Sequence, residues 1–163
     1  GFGSRLMEEI REKRGLTYGI YSGFSPMQTR GPFMISMQTR ADYSEGALAL
    51  IKDMVREFLA EGPTEAELQQ AKRELAGSFP LSTASNAAIV GQLGAIGFYD
   101  LPLDHLERFV AEVQALSAEQ VKAAMNRHLD PDAFVVVTVG PSVAQSELPP
   151  PTGQTQQPSG VPH

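Results

Sequence analysis

The sequence predicts an α+β fold in which helices pack on a mainly antiparallel sheet. Two short segments of alternating apolar residues lie close together near the start of the chain. A helical periodicity follows them through most of the sequence, and a continuous apolar, β-branched run, AFVVVTVG, comes near the end. Helices bracketed by strands in this way are typical of a layer of helices on one sheet.

The first predicted elements are a helix and a hairpin. GFGSRLMEEIREKRG predicts a helix with Ser4 as its N-cap and Gly15 as its C′ stop. Two strands follow it, separated only by a turn region from Pro26 to Gly31, which predicts an antiparallel hairpin. Alternation assigns the following residues to one face of each strand: Leu16, Tyr18 and Ile20 in the first, and Phe33, Ile35 and Met37 in the second.

Capping signals delimit the central helices. A Ser, Thr or Asp followed three residues later by Glu or Gln predicts three helix starts, at Asp42 with Glu45, Thr64 with Glu67, and Ser117 with Gln120. Gly62-Pro63 is predicted to end the first of these helices, and Pro80 and Pro102 are predicted to break the chain. Amphipathic spacing marks two more helical stretches, through Ile89, Leu93 and Ile96 and through Leu106, Phe109, Val110 and Val113.

The last predicted element is a strand from Phe134 to Val139. Its residues are apolar without alternation, which indicates burial on both faces. Three strands make a thin sheet, and a strand this apolar is not expected at an exposed edge. We therefore expect the domain to be truncated at its N-terminus, with further strands of the sheet absent before Gly1.

Length and composition predict one globular domain with a tail. The chain has 163 residues, the size of one ordinary domain, of which 42% are hydrophobic and 20% charged. From Pro141 onward the sequence has six of the twelve prolines, four glutamines and a single charged residue. Such a segment buries too little apolar surface to offset its ordering entropy. We predict a domain over residues 1–141 and a flexible Pro/Gln-rich tail over residues 142–163.

Charge and composition exclude several classes of function. The formal net charge of −6 and the lack of a basic patch argue against a nucleic-acid partner, whose phosphates would need to be neutralised. The absence of cysteine excludes disulfides, thiolate catalysis and cysteine-ligated zinc. No apolar stretch approaches the roughly 20 residues that a membrane-spanning helix needs.

The sequence contains no complete catalytic motif. His105, His128 and His163 are too far apart for the paired histidines of a helical zinc site, so no metal is assigned to this chain. His128 is predicted to lie in the last turn of a helix, where the helix dipole favours a cation. There is no G-x-S-x-G nucleophile motif and no glycine-rich phosphate loop. We therefore assign no catalytic residue for zinc chemistry.

Arg11 and Tyr18 are the candidate binding pair. Arg11 lies one helical turn after Met7, and Tyr18 follows the Gly15 turn, so both side chains can gather at the same helix–strand junction. A guanidinium and a phenol are donors suited to holding a carbonyl oxygen or an oxyanion. The alternative is a surface arginine that pairs with Glu8 and a half-buried strand tyrosine, and spacing alone favours that alternative.

Three stretches of the sequence are similar to a known family. SRLMEEIREKRGLTYGIYSGF, LPLDHLERFVAEVQALSAEQVKAAMNRHLDP and AFVVVTVGP, in this order, resemble the C-terminal half of pitrilysin/insulinase-type zinc peptidases and their mitochondrial processing peptidase relatives. The resemblance covers Gly1 to about Pro141. It implies an α+β domain that pairs with a homologous domain or subunit in a clam-like chamber. It also implies a first strand and helix before Gly1.

In such a pair, one domain carries the H-x-x-E-H zinc ligands and the other, inactive domain lacks them. This sequence resembles the inactive kind, which implies zinc on a partner half, a peptide substrate and no catalysis by this chain alone. The resemblance also implies that Arg11 and Tyr18 reach across to the substrate near the zinc. A structural or assembly role and a plain peptide-binding role stay open, because relatives in respiratory-complex core subunits need not cleave a peptide. Export of many bacterial relatives, together with the tail composition, favours the bacterial periplasm.

Overall fold

A computed structural model describes residues 2–152. The helices in this range are α1 (Phe2–Leu6), α2 (Ser44–Glu61), α3 (Glu65–Ser78), α4 (Asn86–Tyr99), α5 (His105–Ala115) and α6 (Ala118–His128). A π-helical segment (Met7–Lys13) continues α1 directly, and β1 (Ile20–Phe24) pairs with β2 (Phe33–Met37) in a two-stranded antiparallel sheet. The predicted α+β class and hairpin are confirmed. None of the helices in this range is long and apolar enough to cross a membrane.

The chain divides into two compact units. The first, called here the sheet unit, contains Phe2–Gly23, Met34–Val55 and the described residues from Pro131 onward. The second, called here the helical unit, contains Phe24–Phe33 and Arg56–Asp130. The predicted site residues Arg11 and Tyr18 both lie in the sheet unit.

The sheet unit is built around the apolar face of its first helix. Its buried apolar residues are Phe2, Leu6, Ile10, Leu16, Ile20, Ala47, Ile51 and Val55. Along both contributing helices these residues recur every four positions, as an amphipathic helix requires. Full burial of each large side chain contributes about 1.5–3 kcal/mol relative to exposure, so this cluster fixes the N-terminal segment that carries Arg11.

The helical unit contains α3 to α6 and the end of α2. Its buried apolar residues include Phe58, Leu59, Leu68 and Ile96. The capping boxes predicted at Thr64 with Glu67 and at Ser117 with Gln120 are both formed, with reciprocal bonds between side chain and backbone. Each box satisfies two backbone N–H groups that a helix start leaves without a partner, which is why α3 and α6 begin at the predicted positions.

The predicted strand from Phe134 to Val139 is wrong for the described chain. The segment has no regular secondary structure and pairs with neither strand of the sheet. Val135, Val137 and Val139 are between 82% and 94% exposed rather than buried. A strand needs a partner for its backbone N–H and C=O groups, and within residues 2–152 a high β-propensity does not supply one.

Two predicted helix starts are also wrong. Ser4 is not an N-cap, because α1 already begins at Phe2. Asp42 does not cap α2: it lies in a short 3₁₀ turn, where its carboxylate pairs with Arg40 at 2.8 Å. The Glu45 N–H that the capping pattern assigns to Asp42 donates instead to the side chain of Gln145 at 3.1 Å. Partners distant in sequence thus replace the local cap.

The described part of the predicted tail, residues 142–152, makes contacts within the sheet unit. The Gln145 side chain donates to the Ala41 carbonyl at 3.0 Å, and Arg14 donates to the Pro149 carbonyl at 3.2 Å. The end of the domain at residue 141 stays a prediction. Residues 153–163 of the predicted tail lie outside the described residues.

Candidate functional site

Arg11 lies near the end of the π segment, just before a turn at Gly15. The φ of Gly15 is +61°, in the left-handed region that glycine favours. The Leu16 N–H donates to the Ile10 carbonyl at 2.9 Å, and the Gly15 N–H donates to the Arg11 carbonyl at 3.0 Å. The bond from Gly15 to Arg11 is that of an αL cap, which confirms Gly15 as the predicted C′ residue. Arg11 is therefore held on an ordered main chain while its side chain is exposed.

The basic residues after Arg11 pair with the acidic residues before it. Lys13 lies 2.9 Å from Glu8 and 3.5 Å from Glu9, and Arg14 lies 2.9 Å from Glu9. The hydrogen bond from Arg14 lowers the pKa of the Glu9 carboxyl, and the hydrogen bond to Glu8 raises the pKa of the Lys13 ammonium. Glu8 is thus paired with Lys13 and not with Arg11. Within residues 2–152, the Arg11 guanidinium makes no hydrogen bond or ion pair.

Tyr18 is fully exposed, with a relative exposure of 101%. The prediction that Tyr18 shares one face of a strand with Leu16 and Ile20 is wrong. Those two residues are buried, but the chain bends at Tyr18 and β1 begins only at Ile20. The bend breaks the alternation that a strand imposes on its side chains. In the part of the chain that the structure describes, the Tyr18 phenol has no hydrogen-bond or ring partner.

The main chain on both sides of Tyr18 is restrained by hydrogen bonds. The Thr17 hydroxyl donates to the Gly19 carbonyl at 2.8 Å and accepts from the Gly19 N–H at 3.1 Å. Before Tyr18, the Leu16 carbonyl accepts from the Thr39 hydroxyl at 2.7 Å. Thr17 is not among the predicted site residues. Its signal in the sequence is a threonine two residues before a glycine, because such hydroxyls bond the backbone two residues on.

Arg11 and Tyr18 lie on either side of the Gly15 turn in one compact unit. Their side chains make no hydrogen bond or cation–π contact with each other among the described residues. Two details of the alternative differ in the structure: Glu8 pairs with Lys13, and Tyr18 is fully exposed rather than half-buried. The structure therefore presents a cation and a phenol O–H that both lack an acceptor within residues 2–152. Their role in binding stays a prediction.

A cavity of about 540 Å³ lies beside the same N-terminal helix. The π segment, α1 and β1 line it, with side chains that include Ser4, Glu8, Glu12, Tyr21 and Ser22. Neither Arg11 nor Tyr18 lines this cavity. The predicted pair and the cavity are therefore separate features of the sheet unit.

The described residues do not fit a zinc site. Residues 2–152 contain no group of three or more His, Cys, Asp and Glu side chains that could hold a metal ion. His105 begins α5, with its ring 5.8 Å from that of Phe109, and His128 ends α6, in the last helical turn as predicted. A catalytic zinc needs about three protein ligands and one open position, which these two separate histidines do not provide. His163 lies outside the described residues.

Comparison with known proteins gives matches in sequence and in fold. Residues 1–75 match the family described as the peptidase M16 inactive domain. Among solved structures, a peptidase M16 inactive domain from Pseudomonas fluorescens is 65% identical and has a TM-score of 0.83. That match covers 90% of this chain and 35% of the other chain.

Curated relatives match over most of this chain. The non-peptidase homolog YmxG of Helicobacter pylori is 32% identical over 132 residues, which are 80% of this chain and 30% of the relative. An uncharacterized zinc protease of Mycobacterium tuberculosis is 26% identical over 149 residues, 91% of this chain and 34% of the relative. The chain thus spans about a third of the length of these relatives. The resemblance seen in the sequence is confirmed: in sequence and in fold, this chain is similar to the inactive domain of the peptidase M16 family.

Proposed function

We propose that this chain is the non-catalytic half of a zinc metalloendopeptidase, in which it grips the peptide substrate. The proposal rests on the exposure of Arg11 and Tyr18 in a domain similar to the M16 inactive domain. Both side chains are exposed, and neither has an acceptor among the described residues. Two donors that the domain itself does not use are available to an incoming peptide.

In the proposed complex, the zinc belongs to a homologous domain or subunit, where it would supply Lewis-acid polarisation of the scissile carbonyl. Arg11 contributes a permanent positive charge, and Tyr18 contributes a neutral O–H donor. Both bind substrate oxygens on which negative charge develops during the reaction. A donor of this kind is worth about 3 kcal/mol where water is excluded, which corresponds to about 100-fold in rate.

Turnover by the assembled peptidase, with this chain and its zinc-bearing half together, tests the proposal. Tyr18→Phe removes only a hydroxyl from an exposed ring, so we expect turnover to fall at least about tenfold. Arg11→Ala should lower turnover by a similar factor. The thermal midpoint of Tyr18→Phe and the zinc content of both variants should stay unchanged, because neither residue is a zinc ligand.

Matched controls separate substrate contact from a general surface effect. Tyr21→Phe changes another exposed tyrosine, in β1, and Arg30→Ala changes another exposed arginine. Both control variants should keep full turnover. Full turnover in Tyr18→Phe and Arg11→Ala as well would contradict the proposed substrate grip.

A second candidate is a structural or peptide-binding role without proteolysis. It is favoured by one observation, the description of the Helicobacter pylori relative as a non-peptidase homolog. Zinc analysis and peptide hydrolysis by the assembled protein distinguish the two candidates. Stoichiometric zinc with chelator-sensitive cleavage supports the peptidase, whereas peptide binding with no cleavage supports the second role.

A further inference from the structure

We propose that Thr17 is a positioning residue that sets the direction in which Tyr18 is presented to the substrate. The inference rests on the proposed function of Tyr18 and adds the residue that prepares Tyr18 for that function. In this proposal Thr17 does not touch the substrate. It acts through the main chain beside Tyr18.

The side chain of Tyr18 has no hydrogen-bond partner among the described residues, whereas hydrogen bonds restrain the main chain on both sides of it. On its N-terminal side, Leu16 is buried, its N–H bonds back to the π segment, and its carbonyl accepts from Thr39. On the C-terminal side, both backbone polar groups of Gly19 bond to the hydroxyl of Thr17, at 2.8 and 3.1 Å. Every restraint around Tyr18 thus acts on the backbone, and within residues 2–152 none involves the phenol ring.

The Thr17 hydroxyl uses its proton and a lone pair on the same neighbour, Gly19. The two bonds restrain the peptide plane that joins Tyr18 to Gly19 and the plane that follows it. Glycine has more backbone freedom than any other residue, so the restraint acts where the chain would otherwise be most variable.

The restrained backbone around Tyr18 is better explained by a role in substrate contact than by packing of Tyr18 in the core. Ordering the backbone around an exposed residue costs conformational entropy, and Tyr18 buries no surface in return. A hydrogen-bond donor held in place stabilises developing charge without reorganisation during the reaction. A displacement of about 1 Å can lower a rate by about 100-fold, so a fixed direction for the phenol matters for turnover.

The test uses two substitutions of Thr17 in the peptidase assembled with its zinc-bearing half. Thr17→Val keeps the β-branched shape and removes the hydroxyl, whereas Thr17→Ser keeps the hydroxyl. We expect Thr17→Val to lower kcat about tenfold with KM within about twofold, and Thr17→Ser to keep most of the turnover. In a Tyr18→Phe background, Thr17→Val should have an effect below about twofold, because the group that it positions is gone. An equal loss in both backgrounds would overturn the inference.

Amide hydrogen exchange in this chain gives a second measurement, which does not depend on activity. Exchange of the Gly19 amide hydrogen reports its bond to Thr17. We expect this exchange to become about tenfold faster in Thr17→Val and to stay within about twofold in Thr17→Ser. Unchanged exchange in Thr17→Val would overturn the positioning role even if Tyr18 contacts the substrate. Faster exchange combined with full turnover in Tyr18→Phe would instead overturn the proposed role of Tyr18, and this inference with it.

Discussion

The buried ammonium group of Lys72 should contribute strongly to the stability of the helical unit. Lys72 lies in α3, is 6% exposed, and donates to the carbonyls of Gln114 and Leu116 at 2.8 and 2.6 Å. These carbonyls lie at the C-terminal end of α5, where helical carbonyls lack intrahelical partners and the helix dipole favours a cation. The Gln114 side chain returns a bond to the Lys72 carbonyl at 3.4 Å. Lys72 therefore joins α3 to the end of α5.

Lys72→Met keeps the length and the apolar stem of the side chain and removes its charge. A hydrogen bond from a charged donor contributes about 1.5–3 kcal/mol, and a buried carbonyl without a partner costs about 1–3 kcal/mol. Gln114 and Leu116 are themselves exposed, so water replaces part of what is lost. We therefore expect the free energy of unfolding to fall by about 2–3 kcal/mol, which lowers the thermal midpoint by roughly 4–12 °C.

Thermal and urea unfolding measure this effect, with Arg73→Met as the matched control. Arg73 is the next residue of α3 and is exposed, so its substitution should change the free energy of unfolding by less than about 0.5 kcal/mol. Equal small losses in Lys72→Met and Arg73→Met would refute the reasoning. They would show that water replaces both bonds of the ammonium at no cost.

Glycine substitutions and the acid stability of the first helix give two further predictions. Gly15→Ala should cost about 1 kcal/mol because its φ is +61°, and Gly62→Ala should cost more, since its φ is +82° and a Cβ would lie 3.0 Å from a side chain of α6. Gly77→Ala, in α3 with nothing within 4 Å of the added Cβ, should stabilise by about 0.5–1 kcal/mol, and destabilisation there would contradict the reasoning. Because the bond from Arg14 lowers the pKa of Glu9, the stability from this pair is present above the ordinary value of 4.5 and is lost as pH falls through the lowered pKa. The thermal midpoint of Glu9→Gln should thus lie below that of the unchanged chain at pH 7, and the gap between them should narrow on acidification to pH 3. A gap of the same size at both pH values would rule out this assignment.

Several helix ends could be predicted from the sequence because their determinants lie within a few residues of each other. The αL turn at Gly15 and the capping boxes at Thr64 and Ser117 depend only on local side chains and backbone groups. The predicted cap at Asp42 is wrong because the group that replaces it lies far away in the sequence. Gln145, about a hundred residues away, takes the N–H that a local cap would have used.

In the candidate site, too, local sequence patterns predict some features, and the others depend on contacts that these patterns do not specify. Alternation placed Tyr18 on a strand face, but the bend beside the Thr17 side chain turns it out to solvent. The apolar run from Phe134 to Val139 has strand composition, yet pairing depends on a partner that composition does not specify. Donor chemistry and family resemblance point to Arg11 and Tyr18, whereas periodicity alone does not distinguish a binding side chain from a surface one.

Photo-crosslinking at position 18 tests most directly the central claim that this chain contacts a peptide bound by its zinc-bearing half. A benzophenone amino acid replaces Tyr18 in the assembled peptidase, which is then irradiated with a labelled, slowly cleaved peptide. We predict that the label attaches to this chain, and that the same probe in place of Tyr21, which is 73% exposed in β1, captures less than about a tenth as much. Equal capture from the two positions, or no capture from position 18 while the peptide is bound, would contradict the claim.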